Sequence, residues 1–228
     1  MEAVTTGLLD FFARPMQMVI TNPERHYHWQ QADCQKLWQD VIQAGQDEKE
    51  KPHFLGTIVY IEYGIIRQAH IPRLVLLDGQ QRLTAVSLLL AALNQADEAA
   101  GRDDSNHREL HDLFLFNSQE KGELYRKLVP PPGEREVFFS LTRGEEPPTE
   151  SKNPLAESYR FFKQQIAANG VDTDVIYRGI ARLTIMDVST DRFYRNPQEV
   201  YDMLCTTGLD DEQKGLIRNW LGLLQTDE

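Results

Sequence analysis

Residues 74–93 limit what this chain can fold into more than any other stretch. The apolar run Leu74-Val75-Leu76-Leu77 meets a polar knot, Asp78-Gly79-Gln80-Gln81-Arg82, and Leu83-Thr84 then leads into a second apolar run from Ala85 to Leu93. The first run has the length of a buried strand. The second belongs to a helix, Gln81 to Ala96, whose apolar residues almost encircle it, so the knot is tied at both ends to a domain interior. A strand-to-helix turn needs a glycine and a helix cap, which Gly79 and Asp78 or a neighbour supply. It does not need two carboxamides and a guanidinium as well. A helix N-terminus presents unpaired backbone N–H groups and a partial positive charge, which suits an anion such as a phosphate. The knot therefore reads as a functional site, against the plainer reading of a structural turn.

Composition removes other classes. With 228 residues, 41% hydrophobic and 26% charged, the chain has the length and content of one large globular domain or two small ones. The apolar run Ala85 to Leu93, interrupted by Ser87, is too short to span a bilayer, and Met1-Glu2-Ala3-Val4 carries no basic residue ahead of an apolar stretch. Neither a membrane partner nor a signal peptide is expected. Cys34 and Cys205, at unrelated spacing, make neither a zinc site nor a disulfide framework, so a reducing cytoplasm is the expected location. The net charge of −11, from 24 basic and 35 acidic residues, argues against broad affinity for nucleic acid.

Periodicity predicts an α+β chain. A short helix is expected over Thr5 to Ala13, an extended segment over Met16 to Ile20, and an amphipathic helix over Trp29 to Ala44 with Cys34, Leu37, Trp38, Val41 and Ile42 on one stripe. Phe54 to Tyr63 and Arg73 to Leu77 read as strands of a hairpin, and Glu136 to Leu141 as another strand. Thr142 to Pro154 reads as a flexible connection. Helices are expected over Leu155 to Asn169, Pro197 to Thr206 and Asp211 to Leu224, with a strand over Arg182 to Val188. The expected division is an α+β part over 1–141, the connection over 142–154, and a mainly helical part over 155–228. His107 and His111, four apart, lack the Glu that a zinc-binding HExxH helix needs, and are read as two solvated side chains.

The stretch Leu74 to Thr84 resembles the strand–DGQQR–LT–helix hallmark of the N-terminal domain of GmrSD-type, modification-dependent restriction endonucleases, a group that includes SspE-like relatives. Weaker matches follow the same order along the chain: Tyr27, Trp29, Leu37, Trp38 and Asp40, then His53-Phe54-Leu55-Gly56, then Asn196-Pro197-Gln198, Tyr201, Thr207-Gly208-Leu209 and Leu216-Ile217-Arg218-Asn219. The resemblance implies a ParB/sulfiredoxin-like α+β core that binds a nucleoside triphosphate at the knot. It also implies that this binding, or hydrolysis, regulates cleavage of modified foreign DNA in anti-phage defence.

The residue chemistry agrees with that assignment. Arg82 offers a permanent planar charge to phosphate oxygens, and Gly79 lets the backbone approach a ligand closely. Gln80 and Gln81 can donate to phosphate or orient an attacking water, and Asp78 can hold Mg²⁺ or polarise that water. The resemblance adds Arg25 as a nucleotide-binding residue. Tyr27, Trp29, Arg218 and Asn219 are expected in supporting or DNA-reading positions, with His26 and His28 beside the first two. Two positions depart from the family pattern: Glu24 stands where a Gln is usual, and Cys205 where an Asn is usual. Family members usually continue past the point where this chain stops, into a helical region and an HNH-type nuclease, and no nuclease motif is read here. An excised domain and a stand-alone subunit are both expected forms. The alternative function is a non-catalytic ParB-like module that recognises modified DNA or a partner nuclease.

Overall fold

Six strands build one mixed sheet in a computed structural model that describes residues 2–21, 25–47, 49, 51–62, 71–102, 111–147, 152–168 and 172–190. In chain order the elements are β1 (Glu2–Gly7), α1 (Leu8–Ala13), β2 (Gln17–Val19), α2 (Gln31–Gln46), β3 (His53–Glu62), β4 (Arg73–Asp78), α3 (Gln80–Ala99), β5 (Leu128–Val129), α4 (Arg135–Thr142), α5 (Pro154–Ala168), α6 (Thr173–Ala181) and β6 (Leu183–Thr190). The strands lie side by side as β1-β6-β3-β4-β2-β5. β3 and β4 pair antiparallel, as the hairpin reading expects, while β2 pairs parallel to both β4 and β5. The α+β expectation therefore holds.

The core lies on the sheet face that carries Met18, Ile58, Tyr60, Leu74, Leu76 and Ile185, covered by the helices. α3 runs through it: Leu83, Leu88, Leu89, Leu90 and Leu93 are all fully buried. At about 1.5–3 kcal/mol for each buried leucine, this helix is among the most firmly held elements, and it fixes the turn that precedes it. α2 crosses α6 at backbone contact. A Cβ on Gly45 would lie 2.0 Å from the Val175 carbonyl oxygen, and one on Gly179 would lie 2.0 Å from that of Val41.

Several local expectations fail, each for a physical reason. Thr5, Thr6 and Gly7 are not helical: they belong to β1, whose partner β6 begins about 180 residues downstream, and the helix starts at Leu8. Glu136 to Leu141 is not a strand but most of α4. Its buried Phe138, Leu141 and Thr142 fall at i, i+3 and i+4, a period hidden by the β-favouring Val137-Phe138-Phe139 run. α6 went unread, although Asp172 caps it by accepting from the Asp174 N–H at 3.2 Å and Ile176 and Ile180 lie on one face. His111 is not solvated: it is 7% exposed, and burial pulls its pKa down. His107 and the expected helices 197–206 and 211–224 lie outside the described residues.

The back half is more than helical, because β6 sits inside the sheet between β1 and β3. Two described residues of the expected connection contact the helices beside it. The Gln95 side chain donates to the Gly144 carbonyl at 2.9 Å, and Glu146 pairs with Lys163.

Candidate functional site

Parallel pairing puts the C-terminal ends of β2, β4 and β5 on one rim, and each strand is followed there by a non-strand segment. These are residues 25–30 after β2, the 79–82 turn after β4, and 130–134 after β5. The chain reverses from β4 into α3 within one residue because Gly79 adopts φ +88°, ψ 0°. A Cβ there would meet Ile58 Cδ1 at 2.3 Å and the Thr57 carbonyl oxygen at 2.9 Å, so only glycine fits. No side chain caps α3, whose first intrahelical bond runs from the Leu83 N–H to the Gly79 carbonyl at 3.1 Å. Among the described residues the first-turn amides of Gln80, Gln81 and Arg82 thus have no side-chain acceptor.

The predicted residues take up distinct places around this turn. Asp78, the last residue of β4, is half-buried immediately before it. Gln80 is 7% exposed, and its buried Oε1 has no hydrogen-bond donor among the described residues. Arg82 curls back over β3, where its Nη1 donates to the Thr57 carbonyl at 2.8 Å. Its guanidinium lies over Gly56, which has φ +134° beside a β-bulge; a Cβ there would come within 2.8 Å of Arg82 Cζ. Arg25 donates to the carbonyl of Leu77. The two guanidiniums are therefore held by backbone carbonyls on either side of the turn.

Gln81 does something different. Its Oε1 accepts from the His28 N–H at 3.0 Å and its Nε2 donates to the His26 carbonyl at 2.9 Å, so the carboxamide is occupied by backbone at both ends. Tyr27, in the same segment, points inward. It is 3% exposed, its hydroxyl donates to Ser158 Oγ at 3.0 Å, and burial drives its pKa far up. Of the two roles open to it, core anchor and reading surface, its ring is placed for the first. Trp29 is half-buried, 6.4 Å from the Tyr27 ring, and lines a cleft of about 380 Å³ with Gln30, Gln31, Phe161 and Gln164. His26 and His28 are exposed on the rim. Glu24, Cys205, Arg218 and Asn219 lie outside the described residues.

Glu134 is a further residue of this rim. Its Oε1 accepts the Tyr27 N–H at 2.7 Å and lies 3.7 Å from His26 Nδ1, closing the rim between the first and third segments. Burial raises its carboxyl pKa, against the lowering effects of the Tyr27 N–H and His26. A partner 107 residues away leaves no local signal. Gly56 did leave one, since a glycine inside a strand marks a bulge or a close approach.

Among the described residues no group of three or more His, Cys, Asp or Glu side chains comes together to hold a metal ion. Asp78 is the carboxylate at the turn itself, which suits Mg²⁺ bound through one carboxylate and substrate phosphates rather than a protein cage. The donor set of uncapped amides and flanking guanidiniums suits the phosphates of a nucleotide. Over residues 9–221 the sequence matches the GmrSD restriction endonuclease N-terminal domain. The chain belongs to that family. A GmrSD N-terminal domain is one part of a restriction system, and the family implies a nuclease domain or partner in the full protein. No curated protein matches the chain. No described helix is long and apolar enough to cross a membrane.

Proposed function

We propose that this domain binds a nucleoside triphosphate with Mg²⁺ at the β4–α3 turn and so regulates the cleavage of modified DNA by an HNH-type nuclease domain or partner. The observation that carries the reading is an uncapped helix start flanked by two guanidiniums. The amides of Gln80, Gln81 and Arg82 would take phosphate oxygens, and Gly79 lets those oxygens reach the backbone. Arg82 and Arg25 would balance the charge, and Asp78 would hold the metal ion. When bound, Mg²⁺ offsets phosphate charge and polarises the transferred phosphoryl group.

A second reading, binding without turnover, draws support from Gln81. A carboxamide bonded to backbone at both ends is fixed in orientation by the 25–30 segment and is not free to turn toward a water molecule. One experiment separates the readings. Thermal denaturation with each of the four common triphosphates, with and without Mg²⁺, should show a gain of about 2.7 kcal/mol for the cognate nucleotide at about 100 times its Kd. No shift with any of them refutes the nucleotide site. A shift without phosphate release selects the binding module, and release that Asp78→Ala abolishes selects the enzyme.

A further inference from the structure

We infer that Gln81 is a positioning residue that ties the first turn of α3 to the 25–30 segment, so that anion binding at the turn sets the position of Trp29 and its cleft. The inference rests on the reading of the turn as a triphosphate site. Gln81 belongs by its backbone to the first turn of α3, whose amides an anion would engage. By its side chain it belongs to the neighbouring segment, because its carboxamide grips the His26 carbonyl and the His28 N–H like a rung of a sheet ladder. Two opposed bonds fix rotation as well as distance, so the turn cannot shift while the segment stays in place unless both break.

The segment has other anchors, and they show where the freedom lies. Arg25 is held at Leu77, Tyr27 is locked into the core through Ser158 and Glu134, and Gln30 is held in the cap of α2. Between the Tyr27 and Gln30 anchors, the backbone N–H of His28 is held by Gln81. Trp29 follows directly, half-buried at the edge of the 380 Å³ cleft, where it faces Phe161 and Gln164 of α5. A small displacement at His28 is therefore passed to an aromatic side chain that borders open space on one side. Gln81 acts through this segment and not on the reacting atoms.

The test uses the full chain labelled with 5-fluorotryptophan, which gives three fluorine resonances from its three tryptophans. Trp29→Phe assigns the one that matters. In the wild type, adding the triphosphate that stabilises the fold, with Mg²⁺, should shift the Trp29 resonance. Gln81→Met, which keeps the backbone amide, the length and the helix propensity but removes both side-chain bonds, should lose the shift when the triphosphate is at saturation. Hydrogen exchange at the His28 amide should become about tenfold faster in the variant, with the buried amides of α3 unchanged. A Trp29 shift that survives Gln81→Met overturns the inference. So does loss of phosphate release with the shift intact, which would make Gln81 catalytic. Unchanged His28 exchange overturns the link itself. If the wild type binds no triphosphate while His28 exchange still rises, the nucleotide reading has failed and Gln81 is only a structural clasp.

Discussion

The starts of α2 and α3 solve the same physical problem in opposite ways. Both helices must satisfy N–H groups that have no intrahelical acceptor. At α2, Gln30 and Asp33 form a reciprocal capping box, with Asp33 Oδ2 accepting the Gln30 N–H at 2.9 Å, and the far end of the helix is locked against α6 by two glycines. At α3, a left-handed Gly79 supplies no side chain, and the polar groups nearby are turned to neighbouring backbone or left without a donor. The first helix start is served by its own side chains; under the proposed function, the second is completed by a bound anion. Both termini carry the same dipole, so what distinguishes them is how far the surrounding side chains satisfy the first-turn amides.

Substitutions at the two ends should therefore separate stability from binding. The largest effect is expected at the closed helix pair. Gly179→Ala forces a methyl group against the Val41 carbonyl, so stability should fall by about 3 kcal/mol, the upper part of the usual overpacking range. Urea titration should show a lower midpoint at unchanged slope, and the folded fraction should bind triphosphate as before. If binding is lost in proportion, the two regions are not independent.

Next in size is Arg82→Ala. Charge-assisted hydrogen bonds are worth about 1.5–3 kcal/mol, so triphosphate affinity by calorimetry should drop roughly tenfold to a hundredfold. An unchanged affinity would mean that the open helix start is not the anion site. A smaller effect is expected from Asp33→Ala, which removes half of the α2 capping box: about 1 kcal/mol of stability, with no change in nucleotide affinity.

The smallest effect is a change of slope with pH. The folded-state pKa of Glu134 is raised, chiefly by burial, so the folded protein holds that proton more tightly than the unfolded chain. Its contribution to stability is then fully present below the ordinary Glu range and is lost as pH rises through the raised value. Glu134→Gln keeps an acceptor for the Tyr27 N–H and removes this titration. Its urea midpoint should fall less than that of wild type between acid and neutral pH. Parallel profiles would show that Glu134 is not held in the environment described.

Legibility followed the range of the forces involved. The β3–β4 hairpin, α2, α3 and α5 were readable because stripes of apolar residues and runs of β-branched ones are local signals. Thr5 to Gly7 of β1 look helical beside an adjacent apolar helix, until β6, far along the chain, offers them a ladder. α4 was misread because eight residues give a period-2 and a period-3.6 pattern nearly equal support. At the site, the cluster Asp78 to Arg82 was visible as an excess of polar groups in an apolar context. The use of each group was not: Gln80 and Gln81 are adjacent and chemically identical, yet one is buried without a donor and the other spans to a different segment.

The sequence by itself determined that a buried strand and a buried helix meet at a turn with one glycine, one carboxylate and one guanidinium, and that this turn belongs to a GmrSD N-terminal domain. Composition and hydrophobic period suffice for that, because they act over a few residues. Only the tertiary structure decided that Arg25, Glu134 and Gly56 stand around the same rim, that Tyr27 faces the core, and that Gln81 clasps its neighbour. Those assignments depend on strand order and on which carbonyl each side chain can reach. Both are set by the packing of the whole sheet against its helices, which no short stretch of sequence contains.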